Sequence, residues 1–530
     1  MLSSAFIPCD ESVIRGAQMG ARPCAEHAKP WVLAATIVGS SMAFIDSSVV
    51  NVALPAIQAD LAASVRDAQW VANAYMLLLG ALLLVGGAAG DRFGRRRMFV
   101  IGVVVFTVAS VACGWAPDVA SLIAARAVQG VGGALLVPGS LAIISAAFPE
   151  EERGRAIGTW AGASALTTAL GPVLGGWIVD TWSWRIIFLI NVPIAAVAIA
   201  LAIWRVPESR QESRDVTIDW IGGALAVVGL GALAYGLTVA SETGWLSAGV
   251  LGSLGGAILM LGLFVWREAR ARTPMMPLEV FRSRDFSGAN AITLLLYFGL
   301  SGAMFFVPFN LIRVQGYSAA LAGAAFLPFS LIMGVLSRWS GGLIDKYGAR
   351  KLLTIGPAIV AAGFVLLAVP GIGGSYWTTF FPPMVLLGFG MAVSVAPLTT
   401  SVMRAVDDEH AGVASGINNA TARIAGMLAV AVLGMVAVGV FGKVLDERLG
   451  QMPLSNETRE QVRAEIPKLA EAQAPRTMDG AQRNQLQQAF KESFVSSFRV
   501  VSLVAAALAL LSAICGWLTI ESHRAAARHR

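Results

Sequence analysis

Apolar runs separated by short polar breaks fill most of this chain. A helix needs about 20 apolar residues to cross the hydrocarbon core of a bilayer. Windows of that kind lie near 31–53, 68–90, 98–115, 119–147, 156–179, 186–204, 218–240, 247–266, 286–309, 319–337, 352–369, 377–400, 412–440 and 496–519. The pattern therefore predicts an all-α integral membrane protein with fourteen transmembrane helices.

The basic residues in the breaks test this count. With the amino terminus placed inside, the segments on the inner side hold 25 Lys and Arg, while the short outer loops hold three: Arg66, Arg185 and Arg313. Such a bias sets orientation by the positive-inside rule, and one missed span would scramble it. Both termini are then cytoplasmic. One outer segment differs, 441–495, with eight basic and eight acidic residues and Pro453, Pro467 and Pro475. Long loops are largely exempt from the charge rule. Val462, Ile466 and Leu469 fall at helical spacing, as do Gln482, Leu486 and Phe490. This predicts an external helical hairpin, with Pro467 opposing a straight first helix; a loosely ordered linker is the alternative.

Composition agrees with lipid as the solvent. The 530 residues are 56% hydrophobic and 14% charged, against about 25% charged in soluble domains, and the mean hydropathy is +0.68. A net charge of +6 in a soluble protein would suggest nucleic acid. Here the cations sit in clusters between apolar runs, so they read as topology signals and nucleic acid is not an expected partner. Cys9, Cys24, Cys113 and Cys515 have no metal-binding or CxxC spacing, and no metal site is expected. Residues 1–30 are polar without an apolar signal-peptide core, which makes them a cytoplasmic tail.

Two breaks repeat one another. Gly90-Asp91-Arg92-Phe93-Gly94-Arg95-Arg96-Arg97 follows the second span, and Gly341-Gly342-Leu343-Ile344-Asp345-Lys346-Tyr347-Gly348-Ala349-Arg350-Lys351 follows the tenth. The two aspartates are 254 residues apart (345 − 91), eight spans rather than the six that two six-helix halves would give. A helix pair inserted between the halves accounts for the difference. This divides the chain into a tail (1–30), a six-helix bundle (31–205), an inserted pair with its linkers (206–285), a second six-helix bundle (286–519, including 441–495) and a tail (520–530). Gly94 and Gly348 suit a turn with positive φ. Asp91 suits the positive amino end of a neighbouring helix. The loops are thus either latches for one packing of the helices or tight turns carrying topology charges.

These loops are similar to the signature cytoplasmic loop of the major facilitator superfamily. Four further segments resemble its fourteen-span drug:proton antiporter branch: Phe44–Pro55, Arg126–Ala134, Gly171-Pro172-Val173-Leu174-Gly175-Gly176 and Trp184–Pro193. The resemblance implies two pseudo-repeated halves that alternate access to one site. It also implies a proton gradient as energy source without a cofactor, and a monomer in the bacterial cytoplasmic membrane. For Gly171, Pro172, Gly175 and Gly176 it implies a close-packed helix that seals the periplasmic side and favours export; generic glycine packing is the alternative.

Ionisable residues inside a span are costly and mark function. Asp46 and Arg126 each lie seven residues from the outer end of their windows, and Tyr75 lies at a similar depth. A carboxylate beside a guanidinium can exchange a proton as water access changes, so Asp46 is the expected proton carrier and Arg126 its modulator. A permanent structural ion pair is the competing reading. Asp180 and Arg185 could form an external latch. Asn51, Gln129, Asn418, Asn419 and Arg423 are candidates for the substrate cavity. Family members that export dications tend to carry extra carboxylates in the second half. None occurs in spans ten or thirteen here, which leaves neutral, amphiphilic or anionic substrates.

No G-x-x-x-x-G-K-[ST] loop and no catalytic triad or zinc spacing is present, so neither an ATP-driven pump nor an enzyme is expected. The expected activity is proton-coupled export of small organic compounds. An endogenous metabolite or lipid precursor as substrate, or nutrient import, is the alternative. A periplasmic membrane-fusion partner is left open.

Overall fold

Lipid offers no hydrogen bonds to a peptide backbone, so each apolar run satisfies its own N–H and C=O groups by coiling. A computed structural model of the chain describes residues 28–209, 219–271, 274, 276–406, 411–452, 454–475 and 478–521. The expected tails fall almost wholly outside the described residues, and no strand occurs among those described. The long helices are α1 (Lys29–Asp60), α2 (Val65–Phe93), α3 (Arg95–Gly114), α4 (Val119–Ala147), α5 (Glu150–Thr181), α6 (Asn191–Arg205), α7 (Trp220–Thr243) and α8 (Ala248–Glu268). They continue with α9 (Arg284–Phe309), α10 (Leu327–Tyr347), α11 (Ala349–Leu367), α12 (Phe381–Arg404), α13 (Ala411–Leu449) and α14 (Gly480–Thr519). Thirteen spans are long and apolar enough to cross a membrane as they stand; α2 makes the fourteenth as two segments bent by 52°.

Local chemistry sets the ends of these helices. Ser64 and Asp67 form a reciprocal capping box at the start of α2, and Asp118 and Ser121 do the same for α4. Each pair satisfies amide donors that the first turn leaves free. A single residue joins α2 to α3 and α10 to α11. These are Gly94, at φ 107°, and Gly348, at φ 78°, a region that a side chain disfavours.

Packing sorts the helices into two bundles. In the first, α4 lies between α2 and α3, and α1 lies between α5 and α6; in the second, α11 packs on α12 and α14, and α9 on α13 and α14. The pair α7–α8 is self-packed, and α7 rests on α2 and α13 at the seam between the bundles. The bundles meet along α2–α13 and where α5 crosses α10 and the short helix Ala319–Ala324.

This meeting is confined to one part of the molecule. We call the end bearing Arg95–Arg97 and Arg350 the basic end, and the opposite one the far end. At the far end one apolar core runs through both bundles, including Leu54, Val71, Ile178, Phe306, Ala322, Phe441 and Phe494. At the basic end each bundle has its own core, with Phe99, Ile144 and Ala202 in the first and Phe286, Leu353 and Val402 in the second. The protein is therefore closed at the far end.

Two glycines allow the closure. A Cβ on Gly176 would stand 2.3 Å from the Ala319 carbonyl oxygen, and one on Gly323 would stand 2.0 Å from that of Pro172. Asp180 adds a polar tie across the same seam, accepting from the Ala319 and Ala320 amides at 3.2 and 2.7 Å. This corrects the expected Asp180–Arg185 latch, because Arg185 pairs with Asp60 at 2.5 Å instead. Asp180 is better placed on the free amides that open the short helix.

The far end also carries the segment 441–495. Its two arms are the extensions of α13 and α14, with Phe441 stacked on Phe490 at 6.3 Å. The helix expected around Val462–Leu469 is broken into Asn456–Arg463 and a 3₁₀ turn, Ile466–Glu471, whose first turn contains Pro467. Leu469, at φ 50°, is buried in the shared core, and Arg313 pairs with Glu471 at 2.5 Å.

Gly176→Val should favour opening of the far end. In a cysteine-free background, a cysteine replacing the buried Ala322 is then expected to react several-fold faster with a maleimide confined to that side. Unchanged labelling would contradict the role given to Gly176.

A buried carboxylate, guanidinium and amide network in the first bundle

Helix α1 presents Asp46 toward α4, where Arg126 and Gln129 share one face at a spacing of three residues. Arg126 Nη1 donates to Asp46 Oδ2 at 2.5 Å and to Gln129 Oε1 at 2.7 Å. Gln129 Nε2 donates to the other carboxylate oxygen, Asp46 Oδ1, at 2.8 Å. Each oxygen of the acid thus has a donor of its own, and the amide bridges acid and base. Arg126 Nε donates to the Val71 carbonyl of α2 at 3.1 Å, and its guanidinium lies 4.4 Å from the centre of the Tyr75 ring. The Tyr75 hydroxyl donates to the Ala43 carbonyl at 3.4 Å.

The network continues through α3 to α6. Gln129 Nε2 also donates to Ser110 Oγ at 3.1 Å, as does Asn191 Nδ2 at 2.8 Å, and Ser110 donates to the Phe188 carbonyl. Asp46, Arg126, Gln129, Tyr75, Ser110 and Asn191 are all 2% exposed or less. Burial makes each bond strong and each missing partner costly. Asn191 Oδ1 and both amide atoms of Asn73 on α2 are buried without a protein hydrogen bond.

Several expectations change in this light. Gln129, expected in the substrate cavity, is fully buried as the bridge of the ion pair. Asn51 is half-buried and donates to the Ser47 carbonyl on its own helix. Ser110 and Asn191 went unassigned: one serine in an apolar window carries no signal, and Asn191 stood within a motif without a role. In the second bundle Asn418 donates to Thr293 at 2.6 Å and to Asn290 at 3.3 Å, tying α13 to α9. Asn419 is exposed, and Arg423 is half-buried.

The glycines of α5 present two faces. Gly171 lies against Ser48 and Gly175 against Val49 of α1, while Gly176 meets Ala319 of the second bundle. The helix that closes the far end therefore touches α1 two and three residues from Asp46.

At the basic end Asp91 pairs with Arg95 at 2.8 Å, and Arg95 packs over Gly90. The amino end of α3 is taken by Glu208, not by Asp91 as expected: its carboxylate accepts from the amides of Arg96 and Arg97 at 3.1 and 3.2 Å. Arg96 also donates to the Val206 carbonyl, and the Arg92 guanidinium lies 5.4 Å from the centre of the Phe93 ring. In the second copy Arg350 lies 4.2 Å from the centre of the Trp517 ring. The Asp345 side chain is outside the described ones. Among the described residues no group of three or more His, Cys, Asp or Glu could hold a metal.

The sequence profile of the Major Facilitator Superfamily matches residues 36–430. The chain belongs to that superfamily. It is 35% identical over 493 residues to multidrug resistance protein Stp of Mycobacterium tuberculosis (strain CDC 1551 / Oshkosh), covering 92% of this chain and 91% of that one. It is 34% identical over 500 residues to the tetracenomycin C resistance and export protein of Streptomyces glaucescens, covering 93% and 92%. A bacterial homologue of the human lysosomal transporter Spinster, solved in an inward-facing, unoccupied conformation, shares the fold. The TM-score is 0.63 at 18% identity, over 94% of this chain and 100% of that one. The protein is thus a multi-pass membrane transporter of the major facilitator fold, among relatives that are multidrug and antibiotic resistance exporters.

The bridging amide is open to a direct test. Gln129→Leu keeps the bulk but leaves Asp46 Oδ1 and the Arg126 guanidinium each one partner short. An unsatisfied buried group costs about 1–3 kcal/mol, so the apparent Tm in detergent should fall by several degrees. An unchanged Tm would show that the bridge is not needed.

Proposed function

We propose that this protein is a proton-coupled antiporter that exports small organic amphiphiles across the bacterial cytoplasmic membrane. One observation carries the reading: a single acid, Asp46, lies in a buried network beside the helix that closes the far end. The distribution of Lys and Arg supports a cytoplasmic basic end with both termini inside. The closed far end is then periplasmic, and the gap between the bundles opens to the cytoplasm.

Protonation and pairing with Arg126 compete for one carboxylate. A proton on Asp46 releases the guanidinium to Gln129 and the Val71 carbonyl; loss of the proton restores the pair. Opening the periplasmic side must separate Gly176 from Ala319 and shift α5 on α1. That shift changes the surroundings of Asp46 through Ser48 and Val49. Proton exchange and gate movement are coupled in this way, with Asp46 as carrier, Arg126 as modulator and Gln129 as the bridge between them. The proton gradient supplies the energy, no cofactor is needed, and the chain works as a monomer.

The relative that exports tetracenomycin C favours a second reading within the same mechanism, in which the cargo is a metabolite made by the host cell. Loss of the gene would then lower the amount of that metabolite in the medium.

Cells overproducing the protein should accumulate less of the neutral dye Nile red, and a protonophore should abolish the difference. Asp46→Asn should retain the fold and lose at least about tenfold in efflux rate, within the range for loss of a positioned proton-transfer group. Efflux by this variant at the wild-type rate with an intact gradient would disprove the carrier role. Raised dye accumulation in wild type would reverse the direction of transport.

A further inference from the structure

Only three charged side chains lie seven or more residues inside both ends of their apolar windows: Asp46, Arg126 and Arg423. The first two neutralise each other. Arg423, on α13, makes no hydrogen bond or ion pair with any described residue and is half-buried. An uncompensated charge inside a membrane is expensive and is normally met by a partner or by a polar cavity. Arg423 is only partly buried, so its charge stays open to a polar solute.

The side chain leaves α13 toward α2, at the seam between the bundles. A Cβ on Gly80 of α2 would stand 3.1 Å from the Arg423 Cβ, so the absence of a side chain there makes room for the arginine. Asn418 and Thr421 lie on another face of α13 and are bonded to α9. Arg423 thus stands at the seam where α13 of the second bundle packs on α2, the helix that carries Tyr75.

Depth adds a second argument. The core shared by both bundles begins on α13 at Val430 and on α9 at Leu296, whereas Tyr75 and Leu79 of α2 already belong to the first bundle's own core. Arg423 is two helical turns on the basic side of Val430. It sits below the end of the shared core, still at the contact between α2 and α13, where Leu77 and Ala81 pack with Met427. No carboxylate other than Asp46 lies at comparable depth, so the fixed charge at that seam is positive.

We propose that Arg423 anchors the anionic group of the transported solute, which makes the preferred substrates amphiphilic organic acids. The planar guanidinium presents paired donors that match a carboxylate. Asp46 stays engaged with Arg126 and Gln129 and does not compete for it. The apolar part of the solute would lie along the gap toward the basic end. This assignment rests on the reading of the protein as an exporter whose cargo occupies the gap.

The test uses the full-length protein in nanodiscs at neutral pH and three probes that share one chain: dansyl-aminoundecanoic acid, its methyl ester and its trimethylammonium analogue. Binding is read as energy transfer from protein tryptophan to dansyl, in competition with unlabelled undecanoic acid. Wild type is expected to bind the acid at least about tenfold more tightly than the ester, the range of a charge-assisted bond, and the cation most weakly. Arg423→Gln should bring acid and ester to equal affinity while ester binding stays within about twofold of wild type, and Arg423→Lys should keep part of the preference. Equal affinities in wild type, or an acid preference that survives in Arg423→Gln, would overturn the proposal. So would an equal loss of all three probes in a variant that elutes and melts like wild type, since that marks a structural role. Should the acid preference be found while cells export none of the probes, the anion site stands and the exporter reading fails.

Discussion

The absence of water inside the bilayer governs every level of this structure. It forces each apolar run into a helix that closes its own backbone hydrogen bonds. It removes the usual hydrophobic drive between helices, leaving close contact through small residues to hold them together. It also raises the cost of any bare charge, so that deep ionisable groups survive only with partners or beside a polar cavity. The 56 glycines and the few deep charges of this chain are two consequences of one constraint.

The network around Asp46 illustrates the second consequence. An acid and a base inside lipid would each be intolerable alone. Held at 2.5 Å with an amide donating to the other carboxylate oxygen, they become a packed unit of the first bundle. The same unit reaches the gate through α5. One face of that helix lies on α1 beside Asp46, and the other lies on the second bundle through Gly176. The two faces are a single helix width apart, and both depend on the close backbone approach that glycine permits.

Fold and site were legible to different depths. The span count, the inserted pair and the positive-φ turns at Gly94 and Gly348 followed from hydropathy, spacing and glycine, because each depends on neighbours along the chain. Asp46 and Arg126 stood out for their cost in lipid. Gln129 was singled out but given the wrong surroundings, since nothing in the local sequence tells which face of α4 meets α1. Glu208 at the amino end of α3 and Asp180 at the start of the short helix were assigned elsewhere or passed over. Both act through backbone amides far away in sequence, and such partners leave no motif.

The sequence by itself therefore determined that the chain is a fourteen-span membrane transporter, with a pseudo-repeat, a basic end and an acid and base buried in its first half. These are one-dimensional properties, written in run length, charge distribution and the cost of burying particular atoms. Only the tertiary structure decided that Gln129, Ser110 and Asn191 extend the ion pair, that α5 joins the acid to the gate, and that the far end is the closed one. The physical reason is that hydrogen-bond and packing partners across helices are chosen by rotation and depth. Shifts of a few ångströms in either change which atoms meet without altering the hydrophobic pattern that formed the helices.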